Sequence, residues 1–313
     1  MEPLSLTTLL ICFGGGILGG ALGGLLAFVF CGLFVFAGCM IALAGGGDFM
    51  LSAVGFGPIF GPHVGGFASG VAAANYAMGI RKSHPTGGAK DILASLMPTS
   101  WDVLLVGGIF AVFGHLCVVG LNALPFMAGQ DKIAITVLLS AFVSRALFLK
   151  QGPLGDPESI KKFGLLGTDN YNISWVPWML PFPKMIMYAI GIGLVGGGTA
   201  MAIGNYAEAA GIASGATATA QVVIGWAIAA LTLISLQLGK DSVEAVPIWH
   251  CQAILAGIAW VKFGNLGACV VAAVAGALIQ ELGARLFWNH GDTHVDPPAF
   301  GIAVGTALIS FIA

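Results

Sequence analysis

This 313-residue sequence predicts an all-α polytopic membrane protein of about eight to ten transmembrane helices, on three observations. Apolar residues make up 58% of the chain and charged residues only 8%, against roughly 25% charged in a typical soluble domain. The apolar residues fall in long blocks, and roughly 20 of them in a row span the hydrocarbon core of a bilayer. Those blocks do not alternate with polar residues, as the strands of a membrane β-barrel would. The 48 glycines agree. Helices in lipid associate by close backbone approach at small residues, and Phe13 to Gly24, FGGGILGGALGG, is dense in small-xxx-small pairs.

Taken in order, residues 4–44 form one apolar block, which reads as two helices with a tight turn near Phe30 to Gly32. Gly45-Gly46-Gly47-Asp48 is a flexible break. Met50 to Ile80 follows, with Pro58 and Pro62 marking an irregular start to a helix that contains Asn75. Arg81 to Asp91 is a basic loop, and Ile92 to Met97 reads as a half-helix or interfacial piece. Spans are expected at Trp101–Leu124 and Ile133–Lys150. Gln151 to Trp175 is the longest polar connection, with Tyr171, Trp175 and Trp178 as interface anchors. Further spans are expected at Met185–Asn205, Gln221–Leu238, Pro247–Lys262, Leu266–Trp288 and Ala299–Ala313. Gly239–Glu244 and His290–Asp296 are the polar stretches among them. A positive n-region is missing before Arg81, so no cleavable signal peptide is expected.

An internal repeat is expected. Val64 to Ala77, VGGFASGVAAANYA, recurs at Val195 to Ala207 as VGGGTAMAIGNYA. Asn75 and Asn205, His115 and His250, Arg145 and Arg285, and Asp156-Pro157 and Asp296-Pro297 then pair in the same order. This divides the chain into a glycine-rich N-terminal segment (1–48), repeat one (49–165), a connecting loop (166–182) and repeat two (183–313). The positive-inside rule puts Arg81–Lys90 and Lys150–Lys162 on the cytoplasmic side, which makes the two NYA helices antiparallel and the repeat inverted. Full inversion requires one re-entrant segment, for which Gly211–Ala220 is the candidate.

Few residues are equipped for chemistry. Asn75, Asn205 and Glu208 sit at helix ends, where a polar group at membrane depth faces a cavity or a partner. The plainer alternatives are interhelical hydrogen bonding for the asparagines and headgroup solvation for Asn205 and Glu208. His115 and His250 suit a proton relay, or are core histidines bonded to carbonyls. Arg145 and Arg285 either snorkel or bind an anionic group, and Glu281 lies one helical turn before Arg285. His290, Asp292, His294 and Asp296 carry metal-ligating atoms, but adjacent positions in a polar loop fix no coordination geometry, so no metal or other cofactor is expected. The six cysteines read as small buried hydrophobes. Asp296 to Leu308, DPPAFGIAVGTAL, resembles the HPP-containing segment of HPP-type membrane proteins, as does HPTGGA at His84 to Ala89 more faintly; no function is carried over from either.

The sequence holds no GxSxG, Walker A or HExxH motif, so an enzyme is not expected. Net charge is −2 with no basic tract, which excludes a nucleic-acid binder. The expectation is a multi-pass protein of the cell (inner, cytoplasmic) membrane. It would be a homo-oligomeric transporter or channel for a small polar or ionic solute, proton- or ion-coupled, with its site at the repeat interface. The alternatives are a non-catalytic membrane subunit of a larger complex and, behind it, a membrane-embedded enzyme built on His290–Asp296.

Overall fold

The computed structural model describes residues 2–239 and 245–312, and these are helical, with no strand beyond one isolated bridge between Gly152 and Gly155. The helices are α1 (Leu6–Leu22), α2 (Gly24–Leu43), α3 (Ala68–Tyr76), α4 (Trp101–Asn122), α5 (Lys132–Leu149) and α6 (Pro157–Phe163). They continue as α7 (Phe182–Ala209), α8 (Gly215–Thr232), α9 (His250–Phe263), α10 (Leu266–Gly283) and α11 (Pro297–Ile312). Six of these segments are long and apolar enough to cross a membrane: α2, α4, α5, α7, α8 with its 3₁₀ extension to Leu238, and α10 with its π turn to Trp288. A multi-pass membrane protein is therefore the architecture. Beyond Gly239, the polar connection expected at Gly239–Glu244 lies outside the described residues, as does Ala313.

The first apolar block does form two helices, but they divide at Gly23 rather than near Phe30–Gly32. Gly23 has φ +85°, and a Cβ there would collide with the Ala94 carbonyl. Only glycine fits both constraints. Gly32 instead lies inside α2, where it lets the helix close on Ala227 and Ala230 of α8. Ile92–Met97, expected as a half-helix, is an irregular strap over the Gly23 break. The Ile92 carbonyl accepts the Leu25 N–H at 2.9 Å, and the Ser95 hydroxyl donates to the Ala21 carbonyl at 2.7 Å. The strap satisfies backbone groups that a broken helix leaves without intrahelical partners.

Residues 50–81 form an interrupted helix. A π-helical turn (Met50–Gly55) and α3, which ends in π geometry at Ala77–Arg81, flank a non-helical stretch over 56–67. Pro58, Pro62 and a run of glycines break the ladder there. The glycines of α1 and α4 receive this bare backbone: Gly15 faces the Ile59 carbonyl, Gly19 that of Gly65, and Gly114 that of His63. Irregular backbone among membrane helices requires such protein cover. The small-residue pattern of α1 is thus spent on enclosing a broken segment.

In the second half, Gly211–Ala220 is not re-entrant. Gly211 (φ +67°) closes α7, and a reciprocal Ser214–Thr217 capping box starts α8. α9 is short and begins at His250, while Asp296 caps α11 through the Ala299 N–H. Within residues 1–149, α1 packs on α4, and α3 on α4 and α5. Within 182–312, α7 packs on α10, and α9 on α10 and α11. The two groups meet along α2–α8 and α5–α11.

One end of the bundle gathers the loops 82–100, 150–181 and 289–296 and most of the lysines and arginines. It is tied across the two groups. The Lys90 ammonium donates to the Asn289 carbonyl, the Asn289 side-chain oxygen accepts the Trp175 N–H, and Asp156 N–H donates to the His290 carbonyl. At the opposite end the corresponding bond between groups is that of the Ser310 hydroxyl to the Gly129 carbonyl.

Candidate functional site

Two cavities lie between the groups and share four lining residues, Phe28, Phe67, His250 and Asp296. The first, about 250 Å³, reaches toward the end carrying Asp131 and Ile133 at the start of α5. The second, about 380 Å³, reaches toward the basic end, where Lys90, Ser174, Trp175, Trp178 and Trp288 line it. The shared residues come from four elements: α2, the end of the broken 56–67 stretch, the start of α9 and the cap of α11. Broken segments and helix starts, rather than continuous helices, thus form the partition.

The partition is mostly rings. Phe28 meets Phe67 at 5.6 Å, Trp226 at 5.1 Å and the His250 imidazole at 5.0 Å between centroids, and Phe56 meets Trp226 at 5.1 Å. Edge-to-face contacts of Phe28 with Phe67 and Trp226, and tilted ones for the other two pairs, hold the rings together. His250 is buried yet makes no hydrogen bond among the described residues, and its Nδ1 is an orphan. A buried polar atom without a partner is uncommon and costly.

Asp296 is oriented from two sides. Trp288 Nε1–H donates to His294 Nδ1 at 3.1 Å, which places the imidazole proton on Nε2, and that atom donates to Asp296 Oδ1 at 3.2 Å. The other oxygen accepts the Ala299 N–H at 2.8 Å. At the opposite mouth, Asp131 caps α5 through the Ala134 N–H at 2.8 Å. Lys90, in the loop at the basic end, lies 4.1 Å above the Trp288 ring, and burial pulls its ammonium down to about 8, against the opposing pull of Asp292.

Of the residues singled out from the sequence, His250, His294 and Asp296 are brought to the cavities. The others lie elsewhere. Asn75 is buried in α3 and donates to the Ser144 hydroxyl of α5 at 2.7 Å, an interhelical bond. Asn205 and Glu208 are exposed on the last turns of α7. His115 bonds the Pro3 carbonyl at 2.7 Å. Arg285 pairs with Glu281 at 2.8 Å, one turn away.

Arg145 does not snorkel. It is fully buried and donates to the Thr293 hydroxyl (2.6 Å), the Thr293 carbonyl (2.9 Å) and the Pro153 carbonyl (2.8 Å). It thereby holds the 289–296 loop that carries His294 and Asp296. Asp292 exchanges two bonds with Gln151, and His290 lies between Ser159 and the Leu165 carbonyl. Of the loop's four metal-capable side chains only His294 and Asp296 meet, and no group of three or more such residues converges among the described ones.

Sequence reasoning missed Asp131, Lys90 and the aromatic partition. Trp175 and Trp178, expected as interface anchors, line the second cavity, while Tyr171 is exposed. Asp131 sits just before a span and reads as an ordinary loop residue. Phe28, Phe67 and Trp226 carry no sequence signal, because an aromatic residue facing a cavity looks the same as one facing lipid.

The chain belongs to DUF7973, a family of unknown function, which matches residues 1–151 and 174–313. No curated protein and no solved structure matches the chain.

Proposed function

We infer that the protein is a transporter for a small solute, with its path through the two cavities and its gate at Phe28, Phe67, His250 and Asp296. One observation carries this reading: two cavities reach toward opposite ends of the bundle and stop at the same four residues. A transporter is favoured over a pore because the path is interrupted where the rings meet, and alternating access needs such a closed centre.

The packing also supports an inverted repeat, in a register other than that of the NYA segments. In this register α1 corresponds to α7, α2 to α8, the broken 50–81 segment to 245–263, α4 to α10 and α5 to α11. The pairings of α1 with α4 and α7 with α10 agree, as do those of α3 with α5 and α9 with α11. The first group ends, and the second begins, at the basic end. The stretch between the two family matches is the connection between the groups. By the positive-inside rule the basic end faces the cytoplasm of a cell-membrane protein.

Thiol labelling in sealed vesicles tests the path. Cys117 is the one half-buried native cysteine, the others being buried, so Cys117→Ser provides the background. In it, Ser174→Cys should react with a membrane-impermeant reagent from the basic side, and Ile133→Cys from the other. Labelling of both from one side rejects the path.

A further inference from the structure

We propose that the first cavity binds a small primary organic cation, an ammonium group on an apolar body, held by Asp296, Asp131 and His250 against an aromatic wall. The proposal rests on reading the cavities as the transport path and names the class of solute that the path admits.

The charge of the lining decides the sign of the ligand. Two carboxylates line the cavity, and no lysine or arginine does so among the described residues. A largely apolar cavity bounded by carboxylates repels an anion. Each carboxylate is oriented but not saturated. Asp131 accepts one N–H and Asp296 two, against about four lone-pair positions on each group.

The walls decide the rest. Most of the lining is aliphatic or aromatic, with the faces and edges of Phe28, Phe56, Phe67 and Trp226 among it. A metal ion stripped of its water needs six or so oxygen ligands, which two carboxylates in an otherwise apolar lining do not supply. A sugar-like neutral solute would leave most of its hydroxyls unpaired. An ammonium on an apolar body uses everything present: carboxylates for the charge, ring faces for cation–π contact, and apolar wall for the body. The orphaned His250 imidazole is the independent observation. His250 lines this cavity and makes no hydrogen bond among the described residues; in the tautomer protonated at the enclosed Nδ1, its Nε2 is an acceptor for the N–H of a primary ammonium.

Three molecules sharing one body separate charge from shape: benzylammonium, benzyl alcohol and benzoate, titrated calorimetrically into the detergent-solubilised full chain. Saturable binding of benzylammonium alone is expected. Asp296→Asn and Trp226→Leu should each weaken it by about tenfold or more. Asparagine caps a helix as well as aspartate does, so α11 keeps its start in Asp296→Asn, and an unchanged melting temperature confirms that.

Equal binding of the alcohol or the carboxylate, binding indifferent to Asp296→Asn, or no saturable binding of benzylammonium overturns the proposal. Failure here with opposite-side labelling of Ser174→Cys and Ile133→Cys leaves the transport path standing. Binding of benzylammonium with one-sided labelling leaves the cation site and removes the path.

Discussion

The two ends of the bundle differ in how they are joined. At the basic end, Arg145 and Lys90 tie the first group to residues 289–293 of the second through buried or half-buried hydrogen bonds, and Trp175 and Asp156 of the connection between the groups bond the same loop. At the other end, one exposed bond from Ser310 joins the same groups. The difference teaches which end holds the fold and which is free to part. A loop held by an unpaired guanidinium and several carbonyls is fixed, whereas a single solvent-exposed hydroxyl bond contributes little.

Arg145→Ala would break the contrast most severely. It removes three bonds to the 153 and 293 backbone and side chain and leaves a void, for a loss of about 3 kcal/mol or more in denaturant unfolding. Arg145→Lys should not restore it, because one ammonium cannot reproduce the planar fork. Gly291→Ala comes next. A Cβ at 291 would collide with the Arg145 guanidinium, and the cost should be about 1–3 kcal/mol by the same measurement.

Lys90 gives a pH signature confined to the basic end. Its ammonium releases a proton at about 8 in the folded chain and at 10.5 ordinarily. Between those values the unfolded chain holds more protons, so stability should rise with pH across that window. Melting curves at intervals from about pH 7 to pH 10 should show the rise, and Lys90→Met should flatten it. Ser310→Ala is the smallest change, about 0.5 kcal/mol. A loss equal to that of Arg145→Ala would erase the distinction between the ends.

The membrane helices were legible because composition and block length suffice to find them. The broken 50–81 segment was visible in part, through Pro58 and Pro62. The Gly23 break was not, because six further glycines lie around it at 14–24 and the strap that selects it comes from residues 92–95, far along the chain. The partition was least legible. In soluble helices a polar face contrasts with an apolar one, but here lipid, neighbouring helices and cavity all demand apolar side chains. Asp296 was found as a loop acid and is the cap of α11 between two cavities. Glu208, which reads from the sequence as a polar group at a helix end, is exposed on the last turn of α7.

Gly32 adds a mechanical consequence. Where α2 crosses α8, the bare backbone of Gly32 lies against the Ala230 methyl and the Ala227 carbonyl. One turn along, the Phe28 ring of α2 keys edge-on against Trp226 of α8 at 5.1 Å, so the crossing joins a close backbone approach to one interlocked ring pair. Any turn of one group on the other about this point has to disengage that ring pair, which ties the helix crossing to the aromatic partition between the cavities.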